Sequence, residues 1–117
     1  MADVTTSGNY RLGSGAGDVR LGLTIGEGQF GTSRTKLDGT VLATGSGPMM
    51  VRIGKRSELK GKSLTIRTVV NDLNSMTNRM SVTYRLTGGE EDQKVIAKGK
   101  VTAEGDLLVF DATFDLV

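Results

Sequence analysis

The stretch Ser63-Leu-Thr-Ile-Arg-Thr-Val-Val70, followed after a polar run by Met80-Ser-Val-Thr-Tyr-Arg-Leu86, decides the fold of this chain. In both segments apolar or aromatic residues alternate with polar ones. Successive side chains of a strand point to opposite faces, so this period of two is typical of half-buried strands. We therefore predict two strands here, joined by the polar run 71–79 as a hairpin-type connection or a crossover between sheets.

Further alternating segments lie on both sides of this pair, and turn residues separate them at short intervals. On the N-terminal side, Val19–Ile25 alternates, and Asp38-Gly39 is a strong signal for a two-residue hairpin. On the C-terminal side, Leu107–Leu116 predicts a core strand with a solvated back. The pattern supports no helix longer than one turn, which we place at Ser57–Lys60.

The predicted fold is all-β: an antiparallel β-sandwich of about seven to nine short strands, immunoglobulin-like or fibronectin-III-like in architecture. A small up-and-down β-barrel is the alternative. The connections 54–62 and 71–79 resemble crossovers between two sheets, which favours the sandwich. We predict one domain over residues 1–117, with residues 1–8 as a flexible N-terminal leader.

The composition excludes several kinds of catalysis. The chain has no Cys and no His, so it lacks a thiolate nucleophile, the commonest general base and the commonest transition-metal ligand. We predict no enzymatic activity, no catalytic residue, no cofactor and no metal. No apolar run is long enough to span a membrane, so we expect a soluble chain. Its opening residues fit either a cytoplasmic start or the mature part of an exported protein, and the compartment stays open.

One glycine-rich motif, Ile25-Gly-Glu-Gly-Gln-Phe-Gly31, follows a predicted strand. Over these seven residues the chain resembles the glycine-rich loop of protein kinases, which covers the phosphates of ATP. A kinase also needs an H-R-D catalytic loop, which a chain without His cannot supply. Because Thr32–Thr35 leads into a hairpin, we predict a turn between two strands. We find no resemblance to a known family over any large part of the chain.

Charge is spread unevenly along the sequence. Residues 52–100 carry eleven basic and five acidic side chains, whereas residues 101–117 carry four acidic ones and no basic ones. If the last strand pairs beside a basic strand, these charges complement each other across the sheet. The other interpretation is a functional basic surface, for which the candidates are Arg52, Lys55, Arg56, Lys60, Lys62 and Arg67.

The function predicted from these features is that of a non-enzymatic binding or protein-interaction module that uses loops 54–62 and 71–79. The alternative is a structural subunit of a surface, secreted or phage-like assembly. The expected partner is a protein or an acidic polymer; residues 49–70 contain no aromatic side chain for base stacking, which disfavours nucleic acid. A homo-oligomer through a strand edge stays open. The predicted binding surface consists of Arg52, Lys55, Arg56, Lys60, Lys62, Asp72, Asn74, Met76 and Asn78.

Overall fold

Two β-sheets packed face to face make up the computed structural model of this protein. The structure describes residues 2–74, 76–102 and 105–117. Within these ranges the strands are β1 (Ala2–Tyr10), β2 (Asp18–Ile25), β3 (Phe30–Leu37), β4 (Thr40–Ser46), β5 (Met49–Lys55), β6 (Ser63–Asn71), β7 (Arg79–Thr87), β8 (Gln93–Lys100) and β9 (Leu107–Leu116). A 3₁₀ turn at Arg56–Glu58 overlaps the single helical turn predicted nearby.

The five-stranded sheet has the order β1-β9-β6-β3-β4, and the four-stranded sheet has the order β5-β2-β7-β8. Neighbouring strands run antiparallel, except that β1 lies parallel to β9. The predicted antiparallel sandwich is confirmed, and the strands form two separate sheets instead of the alternative barrel. The connections 54–62 and 71–79 both pass from one sheet to the other, as the sequence indicated.

The core lies between the sheets and is built from the alternating residues that the sequence pattern singled out. In β7, Met80, Val82, Tyr84 and Leu86 are almost completely buried. The inner face of β9 faces them across the core, and the rings of Tyr84 and Phe114 meet edge to face with their centroids 5.8 Å apart. Such contacts join the two sheets, because β7 and β9 belong to different ones.

The hairpin between β3 and β4 follows directly from its two turn residues. Asp38 and Gly39 both have positive φ angles, 47° and 84°. This is the backbone conformation of a two-residue turn whose twist matches that of the flanking strands, and Asp-Gly is one of the few pairs that adopt it readily. The hairpin predicted at this position is confirmed.

At the N-terminus the structure differs from the sequence prediction. Residues 2–8, expected to be a flexible leader, belong to β1, which pairs with β9 from Ala2 opposite Leu108 to Tyr10 opposite Leu116. Backbone hydrogen bonds to β9 hold this segment in place. Its apolar contribution to the core is small and comes mainly from Val4 and Tyr10. Met1 lies outside the described residues.

The sandwich is elongated, with principal extents of 47 × 24 × 20 Å. We call the end that carries the 71–79 connection the tip, and the end that carries the 54–62 connection the base. These connections lie at opposite ends of β6, which runs from Ser63 at the base to Asn71 at the tip. None of the described residues belongs to a helix long and apolar enough to cross a membrane.

Candidate functional site

The outer face of the four-stranded sheet is lined with basic side chains. Because the apolar residues of β7 point into the core, Arg79 and Arg85 point outward, and the adjacent strand β8 presents Lys94, Lys98 and Lys100 on the same side. Strands β2 and β5 add Arg20, Arg52 and Lys55. We call these eight exposed residues the basic face: Arg20, Arg52, Lys55, Arg79, Arg85, Lys94, Lys98 and Lys100.

Like charges lie directly opposite each other on this face. Arg79 pairs in register with Lys100, and Arg85 pairs with Lys94. No carboxylate in the described part of the chain lies within ion-pair distance of these four side chains. Because like charges at opposite positions destabilise a sheet, these pairs lower the stability of the free protein. An anionic ligand on this face would remove that repulsion.

Asp18 is the one acidic residue in the four strands of this sheet. Its carboxylate accepts two hydrogen bonds from Arg52, at 2.9 Å from Nε and 3.0 Å from Nη2, and Arg20 lies 3.8 Å away. The hydrogen bonds from Arg52 lower the pKa of Asp18 below its usual value, and Arg20 and Lys55 add to the effect. Asp18 therefore stays ionised. It offsets the repulsion between basic side chains only at the base end of the basic face.

The outer face of the five-stranded sheet is electrically balanced. Its strands carry three basic side chains, Arg34, Lys36 and Arg67, and three acidic ones, Asp3, Asp111 and Asp115. Arg67 forms a bidentate pair with Asp111 at 2.9 and 3.2 Å, which is the cross-strand complementarity predicted for the acidic last strand. The net positive charge is therefore concentrated on one side of the molecule.

The acidic run Glu90-Glu-Asp92, just before β8, is tied to the other sheet. The Gly89 amide donates a hydrogen bond to the Tyr10 hydroxyl at 2.9 Å, and the Glu90 amide donates to the Arg11 carbonyl at 3.0 Å. No ion pair links this run to the basic face within the described ranges. Within the described ranges, the carboxylates of this run therefore do not neutralise the basic face through ion pairs.

A shallow groove of about 490 Å³ crosses the middle of the basic face between β5 and β7. Gly22 and Thr24 of β2 form part of its floor together with Thr83 of β7. Pro48 and Met50 line one side and Arg85 the other. Met50 is 69% exposed. The groove therefore offers apolar, hydroxyl and cationic groups to a ligand.

The residues predicted around the 54–62 connection fall into different environments. Arg52 and Lys55 belong to the basic face. Arg56 is half-buried, donates a hydrogen bond from Nε to the Leu12 carbonyl and lies against the glycine-rich segment 13–17, so its role is to hold the base together. Lys60 is exposed and Lys62 half-buried at the base.

The predicted residues of the 71–79 connection lie at the tip, at the other end of the molecule. Asp72 is fully buried and therefore unavailable to a ligand, which corrects its assignment to a binding surface. Asn74 is half-buried and donates a hydrogen bond from Nδ2 to the Glu27 carbonyl at 2.9 Å. Asn78 is half-buried, and its carbonyl accepts a hydrogen bond from the Val101 amide at 3.0 Å. Met76 is exposed.

Gln29 is the hub that fixes this connection. Its side chain is 8% exposed and donates through Nε2 to Asp72 Oδ1 at 2.8 Å and to the Thr77 and Arg79 carbonyls at 3.1 Å each. Its Oε1 accepts from the amides of Leu73 and Asn74 at 2.8 Å each. The last residues of the glycine-rich motif thus serve as a structural anchor, and the motif forms the turn between β2 and β3 that the sequence predicted.

Four exposed apolar side chains gather at the tip, namely Phe30 (46% exposed), Leu73 (61%), Met76 (88%) and Leu107 (41%). The register places Phe30 and Leu107 on either side of Asn71. We call these four residues the apolar tip. Exposed apolar patches of this kind are typical of protein–protein contacts.

Six members of the basic face were missed by the sequence prediction: Arg20, Arg79, Arg85, Lys94, Lys98 and Lys100. The sequence does carry a signal for them, because each lies at a polar position of a strand in which apolar and polar residues alternate. Recognising β7 and β8 as a hairpin would have placed most of them on one face. The basic candidate Arg67 lies instead on the outer face of the other sheet.

Among the residues that the structure describes, no three acidic side chains gather as a metal site. Comparison with protein-family models, with curated proteins and with solved structures gave no match.

Proposed function

We propose that this protein is a non-enzymatic binding module that binds an acidic polymer through the basic face. The observation that carries the proposal is the pair of cross-strand contacts Arg79–Lys100 and Arg85–Lys94. Both pairs cost stability in the free protein, and both gain from a polyanion laid across them. The two pairs are six residues apart in β7, about 20 Å, so a ligand that meets both must be extended.

Compared with the surface predicted from sequence, the proposed site keeps Arg52 and Lys55 and leaves out the two connections. Lys60 and Lys62 lie at the base, and Asn74, Met76 and Asn78 at the tip. These two groups are at opposite ends of the molecule, whereas the eight residues of the basic face share the surface of one sheet. The immunoglobulin-like arrangement of the sandwich also stays a prediction.

The test is a charge reversal that leaves the fold intact. In a Lys94→Glu/Lys100→Glu variant, each new carboxylate lies opposite an arginine, so the two repulsive pairs become attractive. We expect unchanged or higher thermal stability, and binding of fluorescently labelled heparin weakened at least about tenfold. For the wild type, affinity should fall steeply as salt is added.

The matched control is Arg34→Glu/Lys36→Glu on the outer face of the five-stranded sheet. It makes the same change in net charge, and Arg34 also lies opposite an arginine, Arg67. We expect this control to bind heparin far better than the Lys94→Glu/Lys100→Glu variant. Equal loss in both variants, or no binding of heparin or polyglutamate by the wild type at low salt, would show the proposal to be wrong.

A structural subunit of an assembly is the second candidate, and the apolar tip is the observation that favours it. Two of its exposed apolar side chains lie on the connection that Gln29 fixes, and the other two begin β3 and β9, so the apolar tip forms a preorganised surface for another protein or another copy of the chain. Light scattering over a range of concentrations separates the two candidates. A strict monomer argues against the assembly role and leaves the basic face unaffected.

A further inference from the structure

We propose that the groove over Gly22 holds one sugar ring of an acidic polysaccharide, which makes that polysaccharide the polymer bound by the basic face. This inference rests on the proposed function and narrows its ligand class. It starts from a glycine in the middle of a central strand, a position where glycine weakens a sheet and often marks the close approach of a ligand.

Neither the backbone nor the packing requires glycine at this position. Gly22 is absent from the residues with positive φ. A Cβ atom built there would meet Met50 Cε at 3.4 Å and Arg85 Cβ at 3.8 Å, which a flexible methionine accommodates. By contrast, a Cβ on Gly31 would lie 2.7 Å from the Val69 carbonyl oxygen, so that glycine is needed for packing. The absent side chain at Gly22 instead keeps the groove open.

The chemistry of the groove matches that of an acidic sugar. A sugar ring presents C–H faces, hydroxyl groups and, when acidic, a carboxylate or sulfate. Pro48 and Met50 supply an apolar wall for the C–H faces, and Thr24 and Thr83 supply hydroxyls on the floor. Arg85 at the rim can bind a carboxylate or sulfate through two parallel hydrogen bonds.

Other ligand classes fit less well. The groove has no aromatic side chain, so it offers no platform for stacking a nucleobase or a neutral sugar. The binding energy must therefore come mainly from charge, which selects acidic sugars. The neighbouring sugar units of the polysaccharide would continue over Lys94 and Arg20, which are next to the groove in the sheet register.

The test fills the groove without changing any charge. In Gly22→Thr the new side chain occupies the floor, and because threonine favours strands we expect an unchanged or higher melting temperature. The probe is a fluorescently labelled heparin hexasaccharide, whose dissociation constant we expect to rise at least about tenfold. Gly8→Ala in β1 of the other sheet is the control, because a Cβ there meets only Phe114, at 3.9 Å, and no residue of the groove, so we expect wild-type affinity.

The outcomes separate this inference from the proposed function. If Gly22→Thr binds the hexasaccharide like the wild type while Lys94→Glu/Lys100→Glu has lost binding, the groove is not a sugar site and the proposed function stands. If the wild type binds no polyanion at low salt, both fail. If a short DNA duplex or phosphatidylglycerol vesicles bind more tightly than the hexasaccharide, the assigned ligand class is wrong. A loss specific to Gly22→Thr, with the hexasaccharide as the tightest ligand, supports it.

Discussion

Replacing Gln29 by alanine should loosen the tip of the sandwich. The side chain makes five hydrogen bonds to the connection between β6 and β7: one to the Asp72 carboxylate and four to backbone amides or carbonyls. Its truncation removes all five at once and leaves the Asp72 carboxylate without the amide that it accepts from. The effect on stability can therefore be worked out from the geometry.

A typical internal hydrogen bond contributes about 0.5–1.5 kcal/mol net, so five give about 2.5–7.5 kcal/mol. Gln29 lies near the end of the sandwich, where water can enter and satisfy part of the network, so we expect the lower part of this range, about 3 kcal/mol. For a chain of this size 1 kcal/mol corresponds to about 4 °C in Tm. Gln29→Ala should therefore melt about 12 °C below the wild type.

A second variant makes the explanation specific. Gln29→Glu keeps an acceptor for the Leu73 and Asn74 amides but places a carboxylate where Nε2 now lies 2.8 Å from Asp72 Oδ1. Repulsion raises the folded-state pKa of the introduced carboxylate above its unfolded value of about 4.3. The folded state then binds more protons than the unfolded state, so the stability deficit shrinks as the pH falls from 7 toward that value.

The assay is urea unfolding followed by circular dichroism at neutral and mildly acidic pH. The reasoning is refuted if Gln29→Ala lies within about 1 kcal/mol of the wild type, which is the contribution of a single hydrogen bond. It is also refuted if Gln29→Glu is equally destabilised at both pH values relative to the wild type.

Two further substitutions test the core. Burial raises the pKa of Tyr84, and its hydroxyl lies beside Thr68 without a well-formed hydrogen bond. As the pH rises past 10.0, the ordinary tyrosine pKa, the unfolded state therefore ionises before the folded state, and the protein loses stability. The free energy of unfolding of Tyr84→Phe should match that of the wild type within about 1 kcal/mol near pH 7. Measured by urea unfolding above pH 10.0, it should fall less steeply with pH than that of the wild type, and an equal pH dependence would contradict the explanation. Gly99→Ala should lower the free energy of unfolding by about 1–3 kcal/mol, measured in urea, because the new Cβ would collide with Leu108. In the control Gly8→Ala, the new Cβ meets only Phe114, at 3.9 Å, so equal losses in the two variants would contradict this explanation.

The core of the fold could be predicted from the sequence because its signal is local. The alternation in β6, β7 and β9 and the Asp38-Gly39 turn each fix their own conformation, and the structure confirms them. Strand β1 was missed because its residues are mostly small and polar. What holds it is the backbone of β9, more than a hundred residues later in the chain.

The candidate site could not be predicted as a whole, because a sequence shows charge only in chain order, whereas a sheet brings side chains from distant strands together. Arg20 and Arg85 are distant in sequence but lie only two residues apart in register across β2 and β7, because Arg85 is opposite Gly22. Arg52 and Arg67 are closer in sequence and point away from opposite sheets. The polar loop around Asp72 predicts a ligand-facing side chain, and only the structure reveals Gln29 beside it.

The parallel pairing of β1 with β9 determines how this domain responds to mechanical force. The two strands run side by side from tip to base, so a pull on the start of β1 and the end of β9 slides them past each other in opposite directions. Parallel ladders have evenly spaced hydrogen bonds, which then share the load instead of opening one after another. Force in this direction loads the hydrogen bonds between β1 and β9 in shear, so the two strands separate only when these bonds break together.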